Sequence, residues 1–152
     1  MNRKAILLTL AVVALGLPMS ACNSSGSGGQ AASSTSSTSA AQLTSLIPTP
    51  ANNQMTKGPD TIPDNGVHLH YQVNGAPGDV MNAFKTALQG KGWAVTTIVT
   101  SGGGGGGGAT YTGTHDSAFA VFDGGGYNTT TYIDVCTWPA KPANPNCTRG
   151  GQ

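Results

Sequence analysis

Between residues 67 and 88 the sequence switches once from a period of two to a period of 3.6, and that switch limits the available folds. VHLHYQV (67–73) alternates strictly and puts Val67, Leu69, Tyr71 and Val73 on one face of a half-buried strand. NGAPGD follows as a turn, with Asp79 as the expected N-cap. Val80, Ala83, Phe84, Ala87 and Leu88 then recur at helical spacing as one apolar stripe, and Gly90 and Gly92 supply the stop. Everything downstream reads as strand: the β-branched AVTTIVT at 94–100, then 109–112, 117–123 and 129–137, separated by Gly-rich turns. One helix covers only one face of a sheet. The expected fold is therefore α+β: a two-layer sandwich with one helix on a small, mostly antiparallel sheet in the order β-α-β-β-β-β. Its expected core is Val67, Leu69, Tyr71, Val80, Phe84, Leu88, Trp93, Val95, Val99, Phe119, Val121, Ile133 and Val135.

The N-terminus carries an address. Arg3 and Lys4 precede AILLTLAVVALGL (5–17), a run whose helical length of about 20 Å falls short of the roughly 30 Å hydrocarbon core. Basic start, short apolar run and small-residue exit together read as a secretory leader. Met19-Ser20-Ala21-Cys22 resembles the lipobox of bacterial lipoproteins, with Met in place of the commoner Leu. That resemblance implies cleavage before Cys22 and a diacylglyceryl group on its thiol, anchoring the chain to the outer face of the cytoplasmic membrane or cell envelope. Two or more acyl chains hold a protein stably where one does not. With Cys22 so committed, Cys136 and Cys147 remain as an even pair in an oxidising compartment and are expected to form a disulfide. Metal ligation by this pair has less support, because neither has a CxxC neighbour.

These readings divide the chain into a signal peptide at 1–21, a lipidated tether at 22–65, a small domain at 66–148 and a tail at 149–152. NSSGSGGQAASSTSSTSAAQ, after Cys22, has no charge and nothing able to anchor a core. The Pro-punctuated stretch from Pro48 to Pro63 is expected to extend the tether; Leu43, Leu46 and Ile47 are assigned to it, with docking on the domain as the alternative. About 80 residues give a small core, for which a disulfide is a sensible staple.

Charge excludes one partner class. The sequence has no Glu and six Asp, and with Arg3 and Lys4 set aside five bases remain. A chain so near neutrality lacks the clustered Lys and Arg that nucleic acid requires. The glycine run at 102–108 satisfies any glycine pattern, and it lacks the Lys-Ser/Thr ending of a phosphate-binding loop. It is expected to be a mobile hairpin connection.

His68 and His70 share a strand face opposite Val67 and Leu69, a spacing that suits zinc if a third ligand arrives. His115 is the other histidine and sits in an expected turn beside Asp116. The same face is expected to display Gln72, Ile98, Phe122, Tyr132 and Asp134, with Tyr127 and Asn128 at its rim, as a surface for a glycan, a lipid headgroup or a protein. GxSxG is absent, no thiol is spare once Cys136 and Cys147 pair, and there is no Glu to act as acid or base. No catalytic residue and no cofactor are expected. The domain pattern, YTGTHDSAFAVFDGGGYNTTTYIDVCTWP, is loosely similar to small actinobacterial envelope lipoproteins of unknown function and implies no site residues. The resulting expectation is an exported lipoprotein displaying a non-enzymatic binding or accessory domain. The alternative is a small metal-dependent hydrolase built on the His68-x-His70 pair.

Overall fold

A computed structural model of the chain describes residues 38–147. The leader, the lipobox with Cys22 and the following Ser/Gly-rich segment lie outside the described residues, as do residues 148–152. The chain runs α1 (Ala40–Ser45), β1 (Asn53–Ile62), β2 (Gly66–Asn74), α2 (Pro77–Gly90), β3 (Ala94–Gly103), β4 (Gly106–His115), β5 (Ala118–Tyr127) and β6 (Thr130–Trp138). The six strands form one antiparallel sheet in the order β1-β2-β6-β5-β4-β3. The helix α2 carries the chain over three strands, from β2 to the far edge. A meander of hairpins, β3 to β6, then returns it to β2. This is the two-layer α+β arrangement, closed by a Cys136–Cys147 disulfide whose Cα atoms lie 5.5 Å apart.

The second helix starts with Pro77 at its first turn, where a missing N–H costs nothing, and Asp79 lies inside that turn rather than capping it. The cap position is Ala76. Pro77, Met81, Phe84 and Leu88 form its buried stripe. Gly92 ends the helical path with a φ of +92°, which other residues adopt at a cost. Beneath the stripe, β2 contributes Val67, Leu69, Tyr71 and Val73, while β6 adds Ile133 and Val135.

Three expectations about the core and its faces change. Phe122 is fully buried on the helix side, edge-on to Phe84 at 6.0 Å and to Trp93 at 5.4 Å. It does not belong to the face opposite the helix. Phe119 and Val121, expected under the helix, instead join Cys136, Trp138, Ile62 and Cys147 in a second small cluster. The sequence Ala118–Phe122 is apolar at every position, so alternation could not choose a face for it. Val99 is 54% exposed and contributes little to the core.

The domain also starts earlier than residue 66. Leu43 and Ile47 are buried in the main core, and the Trp93 indole Nε1 donates to the Leu46 carbonyl at 3.0 Å. An edge strand, β1, pairs with β2 through residues 53–62 with two irregularities in register, the second of which spans Gly58 and Pro59. Most β1 side chains are exposed. Its place in the sheet comes from backbone pairing on one side, which leaves no hydrophobic period to read. Among the described residues no helix is long and apolar enough to cross a membrane.

The glycine run is ordered into the β3–β4 hairpin. Gly104 and Gly105 make the turn, and Gly106 to Gly108 pair with Tyr127, Gly126 and Gly125 of β5.

Candidate functional site

The sheet face away from α2 is divided in two by the C-terminal segment. After β6 the chain turns back at 139–147 and lays Cys147 on Cys136. Phe119 and Trp138 meet at 6.3 Å under this return, and the Lys141 ammonium stands 5.3 Å over the Phe119 ring. The Trp138 indole N–H donates to the Pro63 carbonyl at 3.1 Å, tying the β1–β2 turn to the same cluster. The return segment and its disulfide therefore cover the end of this face that carries Phe119 and Trp138.

Beside this covered area lies a buried polar cluster. The pairing of β2 with β6 sets His68 opposite Cys136 and His70 opposite Asp134. One carboxylate oxygen, Asp134 Oδ1, lies 2.9 Å from His68 Nε2 and 2.9 Å from His70 Nδ1. When each of those nitrogens carries the proton, both imidazoles donate to the same oxygen. Asp134 is 2% exposed and His70 7%, while His68 is half-buried. The Tyr132 ring stacks on His70 with centroids 5.9 Å apart. A buried carboxylate needs such donors, because desolvation without them is costly. The histidine pair thus has a structural partner, supplied by a strand more than sixty residues away in sequence.

His115 does not join this pair. It sits at the end of β4, with its ring 5.6 Å from Trp93 and its Nε2 3.1 Å from the Lys91 carbonyl. Its other nitrogen lies 3.3 Å from the exposed Asp116 carboxylate. The three histidines considered as metal ligands therefore occupy two separate places.

The other half of this face holds a feature that the sequence did not reveal. A shallow trough of about 240 Å³ is bounded by Val99 and Ser101 of β3, Gly108 and Thr110 of β4, and Asp123 and Gly125 of β5. The Thr110 hydroxyl donates to Asp123 Oδ1 at 2.6 Å. Asp123 stands directly opposite Asp134 in the β5–β6 register, so the trough and the histidine cluster are neighbours. Gln72 lies opposite Tyr132 on the same face. Ile98 at 59% and Tyr127 at 63% exposure are solvated at the edge and rim. The available signal for the trough was Asp123, the first polar residue after the apolar run of β5.

On the helix side, burial pushes the Tyr71 phenol up to about 12 and raises that of Tyr111 as well. Both rings stay neutral at physiological pH and act as core.

No protein-family model matches the chain, and neither a curated protein nor a solved structure matches it.

Proposed function

We propose that this chain is an exported lipoprotein, anchored through Cys22, whose small domain serves as a non-enzymatic binding or accessory module of the cell envelope. The observation that carries the reading is the use of cysteine. The sequence has three, and Cys136 and Cys147 are bonded to each other within the fold. The one left over is the residue that closes Met19-Ser20-Ala21-Cys22 behind a basic start and a short apolar run. A disulfide-stapled small domain also suits an oxidising compartment.

The binding part of the reading rests on the trough beside Asp123 and Thr110, with Tyr132 and His70 stacked alongside. Ser101, Thr110 and Asp123 set hydrogen-bonding groups along the trough, which suit an envelope glycan, a lipid headgroup or a protein segment. The hydrolase alternative has less support, because His115 is held elsewhere and His68 and His70 are both engaged by Asp134.

Intact mass of the membrane-extracted protein tests the anchor. A chain beginning at Cys22 and carrying acyl groups, gaining two hydrogens on reduction, is the expected result. A chain without acyl groups would remove the lipoprotein reading.

A further inference from the structure

Three metal-binding atoms meet where β2, β6 and the C-terminal return come together. A ring nitrogen of His68 and the sulfurs of Cys136 and Cys147 all lie within 4.8 Å of one another. In the oxidised chain the two sulfurs are bonded to each other, and neither is a thiolate. Reduction changes the donor set to two thiolates and one imidazole. Around a tetrahedral zinc ion, with Zn–S near 2.3 Å and Zn–N near 2.0–2.1 Å, such donors sit about 3.5–3.8 Å apart. The three atoms, all within 4.8 Å of one another, start close to that spacing. Cys136 and His68 are register partners on adjacent strands, and Cys147 arrives on a segment outside the sheet.

The surroundings of His68 point the same way. Its Nε2 faces Asp134 Oδ1 at 2.9 Å, and in the tautomer that donates to this carboxylate the other ring nitrogen keeps its lone pair. His70 holds the same oxygen from the other side at 2.9 Å and fixes the carboxylate in place. A carboxylate that orients a histidine from behind raises its basicity and is a regular companion of zinc-ligating imidazoles. Thiolate with imidazole is a donor set that selects zinc over magnesium or calcium.

We propose that Cys136, Cys147 and His68 form a thiol-dependent zinc site, oriented by Asp134, which the disulfide closes and reduction opens. A dithiol donor opens it: one of its thiolates displaces a protein sulfur, and its second thiol then displaces the first bond. The donor leaves as a cyclic disulfide, and the protein gains two electrons and two protons as two thiols. Zinc then displaces those two protons with no further change of oxidation state. The site does not depend on how the chain is anchored.

The test uses the full-length chain, washed with chelator, with Co²⁺ as the spectroscopic probe. One sample is kept oxidised. The other is reduced with a phosphine, which takes oxygen from water as it becomes the phosphine oxide. The reduced chain should bind one Co²⁺ with a thiolate-to-cobalt charge-transfer absorption, release it to Zn²⁺, and bind at least about 100-fold more tightly than the oxidised chain. Asp134→Asn should weaken binding by about 10–100-fold while leaving both thiols titratable. His68→Ala should weaken it at least as much, and Cys136→Ser should abolish the charge-transfer band. Equal cobalt affinity in the two thiol states would overturn the proposal, as would undiminished affinity in His68→Ala. A reduced chain that takes up no cobalt would overturn it too, whether or not its tryptophan fluorescence shows it still folded.

Discussion

Gly124 of β5 lies directly beneath Met81 of α2, so that a Cβ added at position 124 would fall on the Met81 sulfur. The helix can sit as close as it does because that strand position has no side chain. Gly124→Ala should therefore overpack the layer and lower stability by about 1–3 kcal/mol in urea unfolding. Met81→Ala alone should cost about 2–5 kcal/mol by opening a cavity at a fully buried position. In the double variant the new methyl occupies part of that cavity, so the combined loss should be smaller than the sum. Additive losses would show that Met81 does not set the requirement for glycine.

Much of this architecture was legible in the sequence because two segments carry clean periods. Val67 to Val73 alternates, and Val80 to Leu88 repeats at helical spacing, so the first central strand and its covering helix could be placed from pattern alone. The face taken by β5 could not. Ala118 to Phe122 is apolar throughout, and only tertiary packing sends Phe122 toward Trp93 and Phe119 toward Trp138. An edge strand such as β1, solvated along most of its length, leaves no period to find. In the candidate site, the shared face of His68 and His70 was readable from their spacing of two. Their convergence on Asp134 was not, because strand register across more than sixty residues is a property of the folded sheet.

A chain beginning at residue 66 should fail to fold cooperatively, whereas one beginning at residue 38 should fold. The shorter chain loses β1 and uncovers one edge of β2. It also loses Leu43 and Ile47 from the main core and the Leu46 carbonyl that accepts from Trp93. Burying two such side chains contributes on the order of 3–6 kcal/mol, a large share of the 5–15 kcal/mol typical of a domain. Thermal unfolding followed by circular dichroism distinguishes the outcomes. A sharp transition in the shorter chain would return residues 38–65 to the role of a tether.

Removing the disulfide by Cys136→Ala with Cys147→Ala should destabilise the domain by about 3 kcal/mol on chain-entropy grounds, given a sequence separation of 11. The loss should be local in its first effects. The return segment is what covers Phe119 and Trp138, whereas Trp93 lies in the helix-side core. In a Trp93→Phe background the emission of Trp138 should shift to the red before global unfolding, and in a Trp138→Phe background the emission of Trp93 should not. Simultaneous shifts would mean that the two clusters unfold as one unit.

Alkaline pH offers a test of the helix-side core. Tyr71 is 3% exposed, and burial pushes its phenol from 10.0 up to about 12. Above pH 10 the unfolded chain gives up this proton while the folded chain keeps it, so the folded state binds more protons and stability falls as pH rises. The contribution is complete below pH 10 and is lost as pH passes through about 12. Tyr111, raised by the same cause, should add to the slope. Urea midpoints measured from pH 8 to pH 12 should stay level at first and then fall beyond pH 10. Tyr71→Phe keeps the ring that tilts against Phe84 at 6.4 Å but has no proton to lose, so its decline should be shallower. A Tyr71→Phe profile parallel to that of the unaltered chain would assign the alkaline loss to other groups and show the Tyr71 hydroxyl to be solvated in the folded state.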